Sequence, residues 1–397
     1  MQTKINKADA NKLQISLATG SHFLVDIYQN FYVGLIPLLS LKFDLSLFKV
    51  SLLGATSVIA NSLFAPLFGY LADRHGVKYF VVAGPVITSV FLSFVGVIPN
   101  YWIIILFVFL GNLGVAAYHP ASAAMASYYG GSRKGLYSSI ISFGGNFGAA
   151  LGSLLIILIL KKIGINYTPL AMIPGIVIAF VLLRFVPKKQ KTISASQELR
   201  FISKITRMNR KKLFLIFILI FSVYSLYILW ITLINYMPLY FTGFDVSLIN
   251  IGIILLLFGA LGGGGGVLTG FLYDRFKNGN ILIQISLVVS IPLLYFIFQT
   301  NGIASIALFI LSGIFLISIQ PVCLRMVQDM LPGNVGLASS LILGLSTGLA
   351  GITMIFLGKA ADKIGIERLI RFELLFLFTA FLILFGYPFV AKKFART

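Results

Sequence analysis

The chain has 397 residues, of which 58% are hydrophobic and 11% are charged, and its mean hydropathy is +0.98. So much apolar surface excludes an ordinary soluble domain and indicates a protein of the lipid bilayer. The net charge of +20 comes from basic residues that punctuate apolar stretches. Because they form no basic stripe on a polar fold, they indicate membrane topology and argue against a nucleic-acid partner. Cys323 is the single cysteine, and we interpret it as a small buried hydrophobe.

Apolar stretches long enough to cross a bilayer recur along the whole chain. A helix needs about 20 residues to cross roughly 30 Å of hydrocarbon. The first stretch carries His22 and Asp26 without a small-residue cleavage site, so we expect a retained helix and not a signal peptide. We predict an all-α membrane protein with twelve transmembrane helices. The predicted helices are 14–40, 48–72, 78–99, 101–129, 134–162, 166–187, 213–242, 247–273, 279–299, 302–330, 333–358 and 366–391.

Basic residues also indicate orientation and domain boundaries. Segments on the same side as the N-terminus hold most of the Lys and Arg residues, so the positive-inside rule predicts that both termini are cytoplasmic. Residues 188–212 form the one long polar segment, which is strongly basic and has Glu198 as its single acid. This segment is either an amphipathic helix on anionic lipid or a solvated basic connector. We predict an N-terminal six-helix bundle at 1–187, a basic cytoplasmic linker at 188–212 and a C-terminal six-helix bundle at 213–397.

The two halves of the chain repeat each other at an offset of 201 residues. Phe43-Asp44-Leu45-Ser46-Leu47 recurs as Phe244-Asp245-Val246-Ser247-Leu248. The same offset relates Pro37 to Pro238, Gly69 to Gly270, Asp73-Arg74 to Asp274-Arg275, Pro120 to Pro321 and Gly135 to Gly336. A period of this length in an apolar chain indicates a duplicated membrane bundle, and the two bundles are expected to be pseudo-symmetric.

A shorter spacing of 88 residues lies within each half. It relates Asp73-Arg74-His75-Gly76 to Lys161-Lys162-Ile163-Gly164, and it relates Asp274 to Asp362, each of which is followed by a basic residue. Three predicted helices separate the members of each pair. An odd number of crossings puts the two copies on opposite sides of the membrane, as an inverted three-plus-three repeat predicts.

The segment after the second predicted helix, Gly69-Tyr70-Leu71-Ala72-Asp73-Arg74-His75-Gly76-Val77-Lys78, resembles the signature loop of the major facilitator superfamily. Glycine at 69 would let two helices approach closely, and Asp73 would sit at a neighbouring helix N-terminus and pair with a basic residue. The alternative is a charged turn that merely ends a helix. We predict a gating latch on the cytoplasmic side, made of Gly69, Asp73, Arg74, Gly270, Asp274 and Arg275.

Four other pieces resemble the fosmidomycin-resistance branch of that superfamily, which comprises proton-driven drug exporters of bacterial inner membranes. They are His22-Phe23-Leu24-Val25-Asp26, His119-Pro120, Gly144-Gly145-Asn146-Phe147-Gly148 and Gln328-Asp329-Met330-Leu331-Pro332-Gly333. The resemblance implies two six-helix bundles that rock about a central cavity lined by the first and fourth helices. It also implies efflux of a small compound, drug-like or a metabolite, in exchange for protons.

Asp26 is the residue that the sequence marks for proton coupling, and we expect it to be the only acid deep inside a span, with Glu373 assigned to the last outside loop. A carboxylate at a helix centre costs about 2.5–3.5 kcal/mol, so it must face a cavity or a partner, and its proton affinity then depends on hydration. His22 lies one turn earlier on the same face. Counted from the cytoplasmic helix ends, Asp26 and His119 lie about 17 and 15 Å deep. We predict proton coupling by Asp26, His119 and His22; the alternative is polar cross-links that only fix helix packing.

The repeat offset separates what the halves share from what one half retains. It relates Asp26 to Tyr227, His22 to Val223, His119 to Gln320 and Asn146 to Thr347. We therefore expect titratable groups in the N-terminal half only, and neutral hydrogen-bonding and aromatic side chains for substrate in the other. The predicted substrate-binding residues are Asn146, Tyr227, Trp230, Gln320, Tyr224 and Arg325.

Two of these assignments have simpler alternatives. The aromatic stripe of Tyr224, Tyr227 and Trp230 would equally serve packing or an interface anchor. Arg325 would also be explained by snorkelling or by an ion pair with Asp329, four residues later.

The remaining motifs define what we do not expect. The run Gly262-Gly263-Gly264-Gly265-Gly266 indicates either a close helix crossing or a gating bend. The sequence carries no phosphate-binding loop, metal-ligand cluster or nucleophile triad, and an intramembrane enzyme would need a second deep carboxylate or a metal-type cluster. We expect a monomeric transporter and no enzyme, with no cofactor and no metal, whose partners are a small-molecule substrate, protons and lipid. Besides a proton-coupled antiporter, the sequence allows a proton-coupled uptake symporter or a transport-inactive sensor or scaffold.

Overall fold

The computed structural model describes residues 11–188, 209–331 and 335–392, and their regular structure is helical throughout. Ten helices in these ranges are long and apolar enough to cross a membrane, and Val77–Ser93 is a shorter apolar helix. The all-α membrane class is therefore confirmed, while the count of twelve stays a prediction. Most of the predicted linker 188–212 lies outside the described residues.

Residue contacts divide the chain into two units. The first unit contains residues 1–39 and 60–195, and the second contains residues 40–59 and 196–397. Residues 40–59 therefore group with the second unit, in contrast to a simple division after residue 187. The bundle and linker boundaries expected from the sequence stay a prediction.

The N-terminal part of the chain forms seven helices within residues 11–188. They are α1 (Lys12–Gln29), α2 (Phe31–Phe43), α3 (Leu47–His75), α4 (Val77–Ser93), α5 (Tyr101–Tyr129), α6 (Lys134–Ile163) and α7 (Ile173–Phe185). In the first unit α1 packs against α6, and α4 packs against α5. Two helix starts are set by asparagine caps, because Asn11 accepts from Gln14 N–H and Asn100 accepts from Trp102 N–H.

The C-terminal part forms six further helices within residues 209–331 and 335–392. They are α8 (Arg210–Thr242), α9 (Leu248–Phe276), α10 (Gly279–Phe296), α11 (Ile303–Met330), α12 (Val335–Ser339) and α13 (Ser346–Lys392), with a π-helical turn at Ser340–Leu345 between the last two. In the second unit α8 packs against α13, and α11 packs against both α9 and α10.

Several predicted spans differ from the observed helices for local reasons. The first, 14–40, is interrupted at Asn30, whose backbone leaves the helix at φ −97° and ψ 6° and whose side chain donates to the Asp26 carbonyl. The sixth, 166–187, begins as a 3₁₀ segment that contains Pro169. The last two predicted spans fall largely within α13, where the one non-helical residue is Gly365, at φ 82° and ψ 166°.

The 201-residue repeat is visible in the backbone. Among the described residues, four in each half have positive φ, and three of each four lie at positions that the repeat relates. The pairs, with φ, are Asp44 (47°) and Asp245 (58°), Gly76 (106°) and Lys277 (52°), and Gly164 (89°) and Gly365 (82°). Gly76 and Gly164 are also 88 residues apart, as are Lys277 and Gly365, so the shorter spacing repeats a turn. Left-handed backbone is costly for most residues, and its recurrence marks inherited turn geometry.

The glycine run of the second unit forms a close helix crossing. A Cβ at Gly262 would lie 2.9 Å from the Gly313 carbonyl oxygen, and a Cβ at Gly265 would lie 3.0 Å from the Ile314 carbonyl carbon and closer still to its oxygen. Gly262 and Gly265 therefore face α11 one helical turn apart. Of the two sequence alternatives, the close crossing is the one observed, since α9 runs through the glycines as a regular helix.

The predicted latch residues lie in the last turns of α3 and α9 and form different contacts in the two copies. Asp274 lies 3.3 Å from Lys277 Nζ and 3.8 Å from Arg325 Nε. In the first copy, Asp73 forms no ion pair among the described residues. A Cβ at Gly69 would meet Pro120 at an ordinary 3.5 Å, and a Cβ at Gly270 would meet nothing within 4 Å. The close helix approach expected at these two glycines is therefore not found there, and the latch stays a prediction.

The equivalent turns predict a backbone-specific effect of alanine. Gly365→Ala and Gly164→Ala should each destabilise the protein by about 1–2 kcal/mol, because their φ values strain an L-residue although space for a Cβ is free. The free energy of unfolding in a mild detergent measures this. The matched control is Gly263→Ala, which also has free space but lies in regular helix. Equal stability of all three variants would contradict a conformational role for the turns.

Candidate functional site

The three predicted proton-coupling side chains lie together in the first unit. Asp26 and His22 project from α1 and His119 projects from α5. His22 Nε2 lies 3.4 Å from Asp26 Oδ2, and His119 Nε2 lies 3.0 Å from Asp26 Oδ1. The Asp26 side chain is 10% exposed, against 14% for His22 and 31% for His119. Two imidazoles therefore close on opposite oxygens of one buried carboxyl group, and His119 forms the more exposed edge.

The outer nitrogen of His22 determines how many protons this cluster holds. His22 Nδ1 lies 2.9 Å from the Ile141 carbonyl oxygen, which can only accept, so Nδ1 carries a proton. Neutral His22 would then turn the lone pair of Nε2 toward Asp26 Oδ2. Two acceptors do not attract each other, so a second proton must lie on His22 or Asp26. The contact between His119 Nε2 and Asp26 Oδ1 needs no further proton, because a neutral imidazole can donate its own Nε2–H to the carboxylate.

Helix α6 makes room for the cluster by lacking side chains. A Cβ at Gly145 would lie 2.6 Å from both Asp26 Oδ2 and His22 Nε2. Along the same contact, a Cβ at Gly144 would lie 2.8 Å from the Thr19 carbonyl oxygen. A Cβ at Gly148 would lie even closer to the Phe23 carbonyl oxygen, and a Cβ at Gly152 would lie even closer to the Ile27 carbonyl oxygen. These glycines let α1 and α6 pack backbone to backbone, which explains the glycine-rich motif in the fifth predicted helix.

A buried hydroxyl pair fixes α5 against α1 next to His119. The Tyr118 hydroxyl donates to the Ala18 carbonyl oxygen at 2.8 Å and lies 2.6 Å from Ser21 Oγ. Both side chains are fully buried, and the ring of Tyr118 lies 5.6 Å from that of His22. Sequence reasoning missed Tyr118 and Ser21, since isolated hydroxyls in apolar helices have no distinctive spacing. They hold His119 in reach of Asp26.

The second unit preserves a neutral counterpart of this contact. Tyr227 and Gln320, which the repeat relates to Asp26 and His119, hydrogen-bond to each other. Val223, the counterpart of His22, is fully buried. The Tyr224 hydroxyl lies 2.8 Å from Thr353 Oγ1, and the rings of Tyr227 and Trp230 are 5.9 Å apart. The duplication therefore kept the contact and changed its chemistry.

The other predicted substrate residues lie elsewhere. Asn146 is exposed on α6, and its counterpart Thr347 donates to the Leu343 carbonyl oxygen in the π-helical turn just before α13. Arg325 is half-exposed, and its Nε lies 3.8 Å from a carboxylate oxygen of both Asp274 and Asp329. These ion pairs agree with the simpler alternative for Arg325, while its substrate contact stays a prediction.

Glu373 overturns two expectations. It is fully buried within α13, where we expected an outside loop, and Thr232 Oγ1 lies 2.7 Å from its Oε1. Asp26 is therefore not the only deeply buried acid, and titratable groups are not confined to the first half. The signal was present, because Glu373 falls inside the predicted helix 366–391 between apolar neighbours. Its nearby charges, Glu367 and Arg371, made the whole segment resemble a loop.

The first-unit cluster also has the donor types of a metal site, which the sequence did not reveal. Among the described residues, His22, Asp26 and His119 could hold a metal ion, since one ligand atom from each lies within 4.8 Å of the others. The expectation that no metal binds stays a prediction. Together with Glu373, this cluster supplies features that we required of an intramembrane enzyme, but the two carboxyl groups make separate contacts in separate units.

Comparison with known proteins gives a consistent family and fold. The family model "Major Facilitator Superfamily" matches residues 18–346. The fosmidomycin resistance protein of Escherichia coli (strain K12) is 27% identical over 87% of this chain and 86% of that protein. An uncharacterized MFS-type transporter of Bacillus subtilis (strain 168) is 28% identical over 87% of this chain and 85% of that protein.

Solved structures agree on the fold. A bacterial homologue of the human lysosomal transporter Spinster, solved in an inward-facing and occupied conformation, matches with a TM-score of 0.78. It is 16% identical, and the match covers 96% of this chain and 97% of that one. At this identity the likeness concerns the fold alone.

The close approach of Gly145 to Asp26 predicts that the effects of substitutions at these two positions on stability are not additive. Gly145→Ala should destabilise the protein by about 1–3 kcal/mol, because the new methyl group collides with Asp26 and His22. The matched control is Gly20→Ala in α1, where a Cβ meets nothing within 4 Å. In an Asp26→Ala background one collision partner is gone, so Gly145→Ala should cost less there, as a double-mutant cycle of unfolding free energies would measure. The same cost in both backgrounds would exclude direct contact.

Proposed function

The chain belongs to the major facilitator superfamily, and from this premise we propose that it is a proton-coupled antiporter that exports a small drug-like or metabolite compound by alternating access. Its family and fold are those of transporters. Its apolar helices make it a multi-pass protein of the inner membrane. Proton coupling, direction and substrate are the parts that we propose.

We propose twelve membrane crossings with both termini in the cytoplasm. The length of α13 supports this, since 47 residues rise about 70 Å, twice what roughly 30 Å of hydrocarbon requires. Gly365 offers the turn that divides it into two crossings, at the position equivalent to the turn at Gly164. An even number of crossings puts the termini on one side, and the distribution of Lys and Arg favours the cytoplasm.

The observation that carries proton coupling is the closure of His22 and His119 on the Asp26 carboxyl group. Because His22 Nδ1 already donates to the Ile141 carbonyl oxygen, the His22–Asp26 contact needs a second proton, which the cluster can store and release when its surroundings change. An isolated charge at this depth is costly, which ties the charge on Asp26 to the charge on its partners. Admission of water or a cation from one side would change the proton affinity of the group. Alternating access would therefore load and release protons on opposite sides.

Export is supported by the family branch. The Escherichia coli relative is named for resistance to fosmidomycin, and export of a small compound is a direct route to resistance. For this chain we propose a small substrate contacted by neutral and aromatic groups of the second unit, chiefly Tyr227, Gln320 and Trp230. The proposed latch at the ends of α3 and α9 would secure the cytoplasmic side between cycles.

Asp26→Asn tests the coupling role. The amide keeps the size and one acceptor of the carboxyl group but cannot exchange a proton, so proton-driven transport should fall to background while passive substrate exchange remains measurable. The assay uses inverted vesicles with an acidic lumen, and fosmidomycin is the first compound of a panel. An exporter releases lumenal protons when substrate is added, whereas a transport-inactive scaffold releases none.

A control variant distinguishes loss of proton coupling from misfolding, and the direction of proton movement distinguishes export from uptake. Asp44→Asn is a matched acid-to-amide change at a left-handed turn that asparagine tolerates, and it should transport normally. Undiminished proton-driven transport by Asp26→Asn would refute the coupling role. Proton movement into the lumen together with substrate would instead indicate an uptake symporter.

His119→Gln copies the neutral side chain that the repeat holds at Gln320. Because the Tyr227–Gln320 contact retains its hydrogen bond, glutamine should keep the packing at Asp26 while removing one titratable group. We expect normal expression and unfolding free energy, and fewer protons released per substrate. Simultaneous recordings of substrate flux and proton release give that ratio. An unchanged ratio at all pH values would assign His119 to packing alone.

A further inference from the structure

A second buried carboxyl group lies in the second unit, and its contacts are made by other residues than those of the proposed coupling cluster. Glu373 of α13 is fully buried. It lies eight residues after the turn at Gly365, which corresponds to about 12 Å along the helix. Its Oε2 is enclosed and has no hydrogen-bond partner among the described residues. A buried ionised carboxylate without a compensating partner is far more costly than a buried neutral acid.

The contacts of Thr232 on α8 indicate where a proton lies. Thr232 Oγ1 is 2.7 Å from Glu373 Oε1 and 3.3 Å from Met354 Sδ. A hydroxyl group has one proton and cannot donate to both. If Glu373 is protonated on Oε1, it donates to Thr232, and Thr232 donates to the sulfur. This arrangement satisfies both contacts of Thr232. Oε2 is then the carbonyl oxygen of a neutral acid, which loses less by lacking a hydrogen-bond partner than a carboxylate oxygen would.

The charged neighbours do not neutralise Glu373. On α13, Arg371 is bound to Glu367 at 2.6 Å and stacks on Tyr295 of α10, 5.1 Å from the ring centroid. On α8 the titratable neighbour is Tyr236, whose hydroxyl donates to the Leu47 carbonyl oxygen. No described cation lies within ion-pair distance of Glu373. The surroundings therefore favour the neutral form.

We propose that Glu373 is a second proton-binding site of this protein, which holds its proton as the neutral acid on the Thr232–Met354 chain and releases it when water reaches the group. The ligand is the proton itself. The site's partner residues Thr232 and Met354 belong to the second unit, and the His22–Asp26–His119 cluster belongs to the first. The site therefore does not depend on the coupling role proposed for Asp26.

The protein offers a direct test without substitution, since Glu198, Glu367 and Glu373 are its three glutamates. Protein labelled with ¹³C at the glutamate side-chain carboxyl, in lipid vesicles, should give one carboxylic-acid signal at pH 7 by solid-state NMR. That signal should convert to carboxylate as the pH is raised while the protein stays folded. Three carboxylate signals at pH 7, or an acid signal that never titrates, would overturn the proposal.

Substitutions assign the signal and separate the two proton sites. Glu373→Gln should remove the acid signal, and Glu367→Gln should remove a carboxylate signal. If Glu373→Gln does not fold, retention of the acid signal in Glu367→Gln and in Glu198→Gln assigns it to Glu373. Asp26→Asn should leave it unchanged, so failure of Asp26 as the coupling residue would not affect this result. Loss of the acid signal in Glu367→Gln or Glu198→Gln would refute the assignment to Glu373.

Discussion

The first unit is organised around one constraint, the burial of the Asp26 carboxyl group inside an apolar helix. The group is tolerated because two imidazoles contact its oxygens and because α6 has glycines where it packs against α1. Gly145 leaves the space that Asp26 and His22 occupy, and Tyr118 anchors the helix that carries His119. Packing and proton chemistry are consequently inseparable here. Any change in the distance between α1 and α6 changes the environment of the carboxyl group.

The duplication constrained backbone more strongly than side-chain chemistry. Asp44 and Asp245 share a left-handed turn, and Gly164 and Gly365 share another, since a turn that reverses a membrane helix tolerates few alternatives. The side chains differ more: His22 corresponds to the apolar Val223, while one interior contact is kept with different chemistry. The Asp26–His119 contact in one unit and the Tyr227–Gln320 contact in the other lie at equivalent positions of the repeat. The first is formed by titratable side chains and the second by neutral ones.

The sequence predicted the class, the helices and the members of the first-unit cluster, because hydropathy and repeat spacing report on these directly. It did not predict the break at Asn30, which depends on a local cap, or the buried hydroxyl pair of Tyr118 and Ser21. It named the glycines of α6 only by resemblance. That Gly145 faces Asp26 follows from the rotation of one helix against another, which spacing along the chain does not contain.

Glu373 is a second buried acid that only one copy of the repeat carries. Offset by 201 residues, Glu373 corresponds to Met172, so the comparison marks it as a charge that only one half carries, as it marks Asp26. The charges of Glu367 and Arg371 nearby in the sequence made Glu373 look like part of the same loop, which hid this difference between the halves. A carboxyl group beside an ion pair is not necessarily part of it, because residues two apart on a helix point in different directions. Arg371 turns toward Glu367 and Tyr295, and Glu373 turns toward Thr232. Within the described ranges, each half therefore carries one buried acid, on helices that the repeat does not relate.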